Sequence, residues 1–196
     1  MIPSKETCFG IMKTYGMLDN IKAHSVVVAK IALLIARGLE KEGLDISVQK
    51  ATAGALMHDI GKTASLKYGG DHTEIGRQIC LRNNFEEIAD IVGEHVFLKH
   101  YELEGDYSEK EIVYYADKRV NHDMIVSLDE RLTYILKRYG NNKRDLRLRI
   151  RKNFELCGKV ENKLFTKLDF RPESLSVVVE KEKNMLNLSK RGVRYV

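Results

Sequence analysis

The chain has 196 residues, 43% of them apolar and 31% charged, with a net charge of +5. That length buries a sizeable core without staples, and the balance excludes a disordered or collagen-like chain. Two prolines and no tryptophan fit a helical chain, because proline breaks helix interiors.

Residues 1–20 mix Lys5, Glu6, Lys13 and Asp19 into short apolar runs, so they do not read as a secretory leader; a short helix is expected over 5–15. The next helix starts at Asp19 or Asn20 and runs to Glu42, ending at Gly43. Its Val27, Val28, Ile31, Leu34 and Ile35 recur at three- and four-residue spacing. Its most apolar part, residues 23–36, carries His24 and Lys30 and is shorter than the roughly 20 residues of a membrane span. It reads as a buried helix, and the protein as cytoplasmic with no membrane partner. A third helix follows Ser47 to Leu56 or Met57, with Gly61 as its stop. Four later starts have a capping residue with Glu three positions on: Asp71 with Glu74, Asn84 with Glu87, Ser108 with Glu111, Ser127 with Glu130. A long charged helix is expected over 142–168, broken at Arg171-Pro172. Residues 173–188 read as helix, with a strand as the alternative because Val177, Val178 and Val179 are β-branched; residues 189–196 are ordered only if something holds them.

The expectation is an all-α helical bundle. Residues 1–140 form the main domain and residues 141–196 a basic, mostly helical extension packed on it. The extension holds 15 Lys or Arg against 7 Asp or Glu, whereas the first 140 residues hold 18 against 21. Such an excess can gather anions at long range, but Phe154, Phe165 and Phe170 follow the apolar face rather than a base-stacking row, so nucleic-acid binding is not expected. Cys8, Cys80 and Cys157 stand far apart without a Cys-x-x-Cys pair, which reads as free thiols in a reducing compartment. There is no glycine-rich phosphate loop.

Of the six histidines, His24, His58, His72 and His95 fall at helix ends or on apolar helix faces, and Asp59 and Asp117 accompany them. Asp117 shares a face with Val113 and Tyr114. A buried imidazole or carboxylate needs a partner, and a divalent metal is a strong one. Mixed imidazole and carboxylate ligands suit Fe, Mn, Zn, Ni or Co rather than calcium.

The ordered set His24, His58-Asp59 and Asp117 resembles that of the HD-domain metal-dependent phosphohydrolases. Leu56-Met57-His58-Asp59-Ile60-Gly61-Lys62 looks like the family's central motif, and Tyr115-Ala116-Asp117-Lys118 is similar to its closing one. His72 and His95 resemble the two further histidines of two-metal members. The resemblance implies an HD-like bundle and two divalent transition metals. His24, His58, Asp59 and Asp117 would hold the first; Asp59 would bridge to the second, completed by His72 and His95. Asp59 and Lys62 would be catalytic, and Lys62 and Lys118 would contact a phosphorylated small molecule or nucleotide. The implied reaction is attack of activated water on a phosphate ester or anhydride. The alternative is a di-iron oxygenase on the same ligands. Lys118, Arg119 and His122 otherwise read as a solvated helix end, and Glu94 or His100 as partners orienting an imidazole. Oligomeric state stays open.

Overall fold

Helix α2 (Asp19–Lys41) buries Val28, Ile31, Ile35 and Leu39 along one stripe, as the apolar spacing requires. Around it the computed structural model, which describes residues 1–140 and 144–181, builds an all-α fold. α3 (Val48–Met57) packs on α2 and carries buried Ala51, Ala53 and Ala55, while Gly54 leaves room for Ile91, which a Cβ would meet at 2.7 Å. α7 (Glu109–Lys118) packs on both α2 and α3, with Tyr114 and Tyr115 fully buried. α1 (Lys5–Thr14) is capped by Ser4 and packs on α3.

The expected stop at Gly61 is only a bend. The chain leaves α3 at His58, and a new helix, α4 (Lys62–Tyr68), starts at once with Gly61 as its N-cap. Gly61 is there for close approach rather than for a left-handed backbone. A Cβ on it would lie 2.2 Å from the His72 carbonyl oxygen and 2.6 Å from the Gly76 nitrogen of α5 (His72–Arg82).

Ser108 and Ser127 form complete capping boxes with Glu111 and Glu130 at the starts of α7 and α8 (Leu128–Tyr139). Asp71 caps α5 through the Thr73 amide instead of through a box with Glu74. The Asn84 expectation is corrected. α6 (Glu86–Glu94) starts after Phe85, which offers no side-chain cap, while Asn84 takes a left-handed φ of 59° and turns the chain out of α5. Asparagine tolerates that conformation, so here it serves the turn. A two-residue hairpin between α7 and α8, β1 (Val120–Asn121) with antiparallel β2 (Met124–Ile125), had no clear sequence signal.

The extension supplies α9 (Arg144–Phe165), a 3-10 turn at Pro172–Ser174 and α10 (Leu175–Lys181). The valines at 177–179 are helical, not a strand: Leu175 and Val179, one turn apart, are buried together, and packing overrides β-propensity. The expected helix beyond residue 181 and the tail at 189–196 lie outside the described residues. α9 packs on α7 and α8, and α10 on α2. Two buried cations tie it down. Lys163 donates to the carbonyls of Glu102 and Asp106 and to both oxygens of Glu111. Arg119 reaches Tyr115, Glu161 and the carbonyls of Val126 and Pro172. The solvated helix end expected at Lys118 and Arg119 is therefore wrong: both are buried, because α9 covers them. Cys8, Cys80 and Cys157 are free and buried. Among the described residues no helix is long and apolar enough to cross a membrane.

Candidate metal centre

Four helix ends and one helix interior bring the expected histidines and aspartates together. His58 and Asp59 stand in the α3–α4 bend, His72 opens α5, His95 closes α6, His24 lies in the first turns of α2, and Asp117 is near the end of α7. Helix ends suit this role because the chain turns there and side chains from different helices converge.

The backbone sets the tautomer of three imidazoles. Nδ1 of His58 lies 2.7 Å from the Ala55 carbonyl, Nδ1 of His95 lies 2.7 Å from the Val92 carbonyl, and Nδ1 of His24 lies 2.8 Å from the His122 carbonyl. A carbonyl only accepts, so each Nδ1 carries the proton and donates it, leaving an Nε2 lone pair to face inward. Carbonyls thus do the orienting expected of Glu94 or His100. Glu94 instead accepts from the Lys99 amide and Lys110, and His100 is exposed.

These lone pairs face two carboxylates and the His72 ring, whose Nε2 is within hydrogen-bond reach of His95 Nε2. Nε2 of His72 and Nε2 of His95 are 3.3 Å apart, and they lie 3.5 and 3.6 Å from Asp59 Oδ1. Nε2 of His58 is 3.5 Å from Asp59 Oδ2 and 3.7 Å from Asp117 Oδ1; Nε2 of His24 is 3.1 Å from Asp117 Oδ1. His58 Nε2 and Asp59 Oδ1 are buried without a hydrogen-bond partner. Acceptors crowded this way repel unless a cation sits among them. Two sets of candidate ligand atoms each lie within 4.8 Å of one another: His24, His58 and Asp59, and Asp59, His72 and His95. Asp59 belongs to both. The donor set therefore fits a divalent metal, and ligands that are orphaned in an apolar surround are what such a site requires.

The charge balance agrees. Burial disfavours charge on Asp59, yet His58, His95 and Lys62 outweigh it and hold its carboxyl well below the usual range. Asp117 is likewise held well below by His24, Lys118 and Arg131 against burial. Burial would lower His58, but the carboxylates of Asp59 and Asp117 overrule it and raise its pKa; they favour positive charge at that point. Burial first, then the charge of His95, lowers His72 to about 4, so its imidazole is neutral near pH 7.

The two expected substrate lysines differ. Lys62 Nζ donates to Asp59 Oδ2 at 2.7 Å and its side chain is partly exposed. Lys118 Nζ is buried, donates to the His95 carbonyl at 2.7 Å, lies 3.6 Å from Asp117 Oδ2 and sits over the Tyr114 ring. Its place is behind the ligands, bracing two of them. Both line a cavity of about 440 Å³ together with Asp59, His72, His95 and Asp117. Sequence reasoning missed Arg131, which also lines it. A signal existed: Arg131 falls at helical spacing with Leu128 and Ile135, so a cation occupies the inward stripe of α8.

The close approach at Gly61 sets the position of His72. Gly61→Ala would push α5 off the bend, at a cost of about 1–3 kcal/mol for overpacking. Its expected result is a lower melting temperature and less stabilisation by added Mn²⁺ than in the parent chain, read from paired thermal melts.

The family model described as HD domain matches residues 21–121. A ribonuclease Y of Fervidobacterium nodosum is 39% identical over 105 residues, 53% of this chain and 18% of the relative. A tRNA (cytidine(56)-2'-O)-methyltransferase of Picrophilus torridus is 30% identical over 176 residues, 81% of this chain and 48% of the relative. An uncharacterised protein of Methanocaldococcus jannaschii is 26% identical over 137 residues and matched over 80% of its length. The chain thus spans less than half the length of the first two relatives. No solved structure matches it.

Proposed function

The chain belongs to the HD-domain family, and from that premise we propose that it is a metal-dependent phosphohydrolase that cleaves a phosphate ester or anhydride of a nucleotide-type molecule. One observation carries the reading. A buried cluster of acceptor atoms centred on Asp59 opens on a cavity lined by Lys62, Lys118 and Arg131. Acceptors collect cations, and cations next to them collect an anionic substrate.

In this reading His24, His58, Asp59 and Asp117 hold one divalent transition metal, and Asp59, His72 and His95 a second, drawn from Fe, Mn, Zn, Ni or Co. Two such cations supply Lewis acidity: they make water acidic enough to attack near neutral pH and offset charge on the phosphoryl oxygens. Asp59 bridges the two halves. Lys62, 2.7 Å from Asp59 Oδ2, is placed to donate to a phosphoryl oxygen as negative charge grows there. Lys118 keeps His95 and Asp117 in position from behind. Residues 1–140 act as the catalytic domain and the extension as a wall of its cavity. Buried free thiols suit a cytoplasmic setting. The cation surplus favours a phosphate ester over the oxygenase alternative.

A second reading has a specific observation behind it: the substrate is RNA. The ribonuclease Y and tRNA methyltransferase relatives are named for RNA. On α9, Arg144, Arg147, Arg149, Arg151 and Lys152 are exposed, and Arg149 lies over the Phe97 ring at the cavity. Such a row suits phosphate contacts along a strand.

The test is a metal-loading series followed by phosphate release from mononucleotides, dinucleotides and single-stranded RNA. Hydrolysis that rises with bound metal supports the proposal. Full metal loading with oxygen consumption and no cleavage of any phosphate ester overturns it. RNA cleavage that falls steeply with salt supports the second reading over the first.

A further inference from the structure

The lining of the cavity beside the ligand cluster is of two kinds. It holds three cations, Lys62, Lys118 and Arg131, against two carboxylates, Asp59 and Asp117. Arg131 is nearly buried. Its Nη1 donates to Asn121 Oδ1 at 2.7 Å, its Nη2 is 3.9 Å from Asp117 Oδ1, beyond hydrogen-bond reach, and its Nε has no partner. Its guanidinium also lies over the Tyr134 ring at 5.7 Å, so besides the Asp117 pair it keeps the Nε donor free. Guanidinium donors fit phosphate oxygens in a planar fork.

The rest of the cavity lining is largely apolar and comes mostly from α8 and α9. Ile135, Leu146 and Ile150 line it, with Phe97 and Tyr139 each about half exposed (42% and 52%). Its polar side chains are engaged elsewhere. The Asn153 amide donates to the Val96 carbonyl and accepts from the Tyr114 hydroxyl, and the Ser65 hydroxyl donates to the Gly70 carbonyl. Telling one base from another needs donors and acceptors aimed at its edge. A flat apolar surface with aromatic rings needs none, because every base has a π face. A volume of about 440 Å³ lies within the range of roughly 300–1,000 Å³ usual for small-molecule sites.

We propose that this cavity is a nucleotide seat indifferent to the base: Arg131 and Lys62 grip the phosphate, and Phe97 and Tyr139 receive the face of whichever base is attached. The inference rests on the phosphohydrolase reading and adds to it a substrate class and two specificity-determining elements. Arg131 and the aromatic pair belong to α8 and to the segment after α6, and none of them is a metal ligand in that reading. The shared chemistry is a nucleoside monophosphate unit, either free or at the end of an RNA chain.

The experiment is calorimetric binding to the full chain carrying Asp59→Asn, which blocks turnover. The probes are AMP, GMP, CMP, UMP, ribose 5-phosphate and adenosine. The four nucleotides should bind within about 5-fold of one another, and ribose 5-phosphate should bind roughly 5–150-fold more weakly, the worth of one stacked base. Adding Phe97→Ala should narrow that gap. Adding Arg131→Gln should weaken nucleotides and ribose 5-phosphate alike and leave adenosine unchanged, while Arg131→Lys should recover part of the loss. A thermal melt of each variant separates a lost seat from a lost fold. An oligoribonucleotide that displaces AMP assigns the chain end of RNA as the source; one that does not assigns the free nucleotide. A preference for one base beyond about 100-fold, equal binding of AMP and ribose 5-phosphate, or no effect of Arg131→Gln in a folded protein overturns the seat. Phosphate-ester hydrolysis by the metal-loaded parent chain is independent of all three, so the seat can fail while the reaction class stands.

Discussion

Asp59→Ala should abolish hydrolysis and empty both halves of the metal centre at once. Asp59 is the one residue common to the two ligand groups, with Oδ1 towards His72 and His95 and Oδ2 towards His58 and Lys62. Loss of an outer partner of a metal ligand typically costs about 10–100-fold in affinity or activity, and loss of a shared ligand should exceed that for both ions. Metal content by mass spectrometry and phosphate release are the measurements. The metal-free protein should lose stability too. His58, His95 and Lys62 favour the charged form of Asp59 in the fold, so Asp59→Asn should lower the metal-free melting temperature, by roughly 2–4 °C per kcal/mol lost. Retention of one tightly bound ion by Asp59→Ala would show that the residue is not shared.

Lys163→Met should produce the largest loss of stability away from the metal centre. The Lys163 ammonium sits between Glu102 and Asp106 carbonyls at 2.6 and 2.7 Å and the Glu111 oxygens at 2.9 and 3.0 Å. Glu111 is 1% exposed, so removing its cation leaves a buried, uncompensated carboxylate. Breaking such a pair costs about 3–5 kcal/mol. At roughly 2–4 °C per kcal/mol for a chain of this size, the melting temperature should fall by about 6–20 °C. Adding Glu111→Gln should recover part of that loss, because removing both charges is cheaper than removing one. If Lys163→Met melts within 2 °C of the parent, the contact is not what joins α9 to α7 and the 99–107 loop.

The convergence of these histidines and aspartates is legible in the sequence partly through helix periodicity, while their grouping as candidate metal ligands comes from the family resemblance. The spacing of Val28, Ile31 and Ile35 puts His24 on an inward face, and the capping residues at Asp71 and Ser108 fix the starts of the helices bearing His72 and Asp117. What was not legible depends on contacts distant in sequence. The carbonyl that orients His24 belongs to His122, 98 residues on, in a hairpin that period-two patterning is too short to reveal. Lys118 and Arg119 look like a charged helix end until α9 is laid over them. Asn84 follows the cap spelling but obeys the turn, since both uses favour the same residue type. Gly61 reads as a terminator, whereas its real constraint is the backbone of α5 a few ångströms away.

The family match ends at residue 121, while Arg131, Ile135, Tyr139 and Ile150 all lie beyond it. In the proposed reading the metal ligands would come from the matched segment and much of the wall around the substrate from beyond it. Drift in α8 and α9 can retune what enters the cavity while the inner ligands stay untouched. One reaction centre can in that way be inherited by enzymes with unrelated diets, each by changing the wall it leans against.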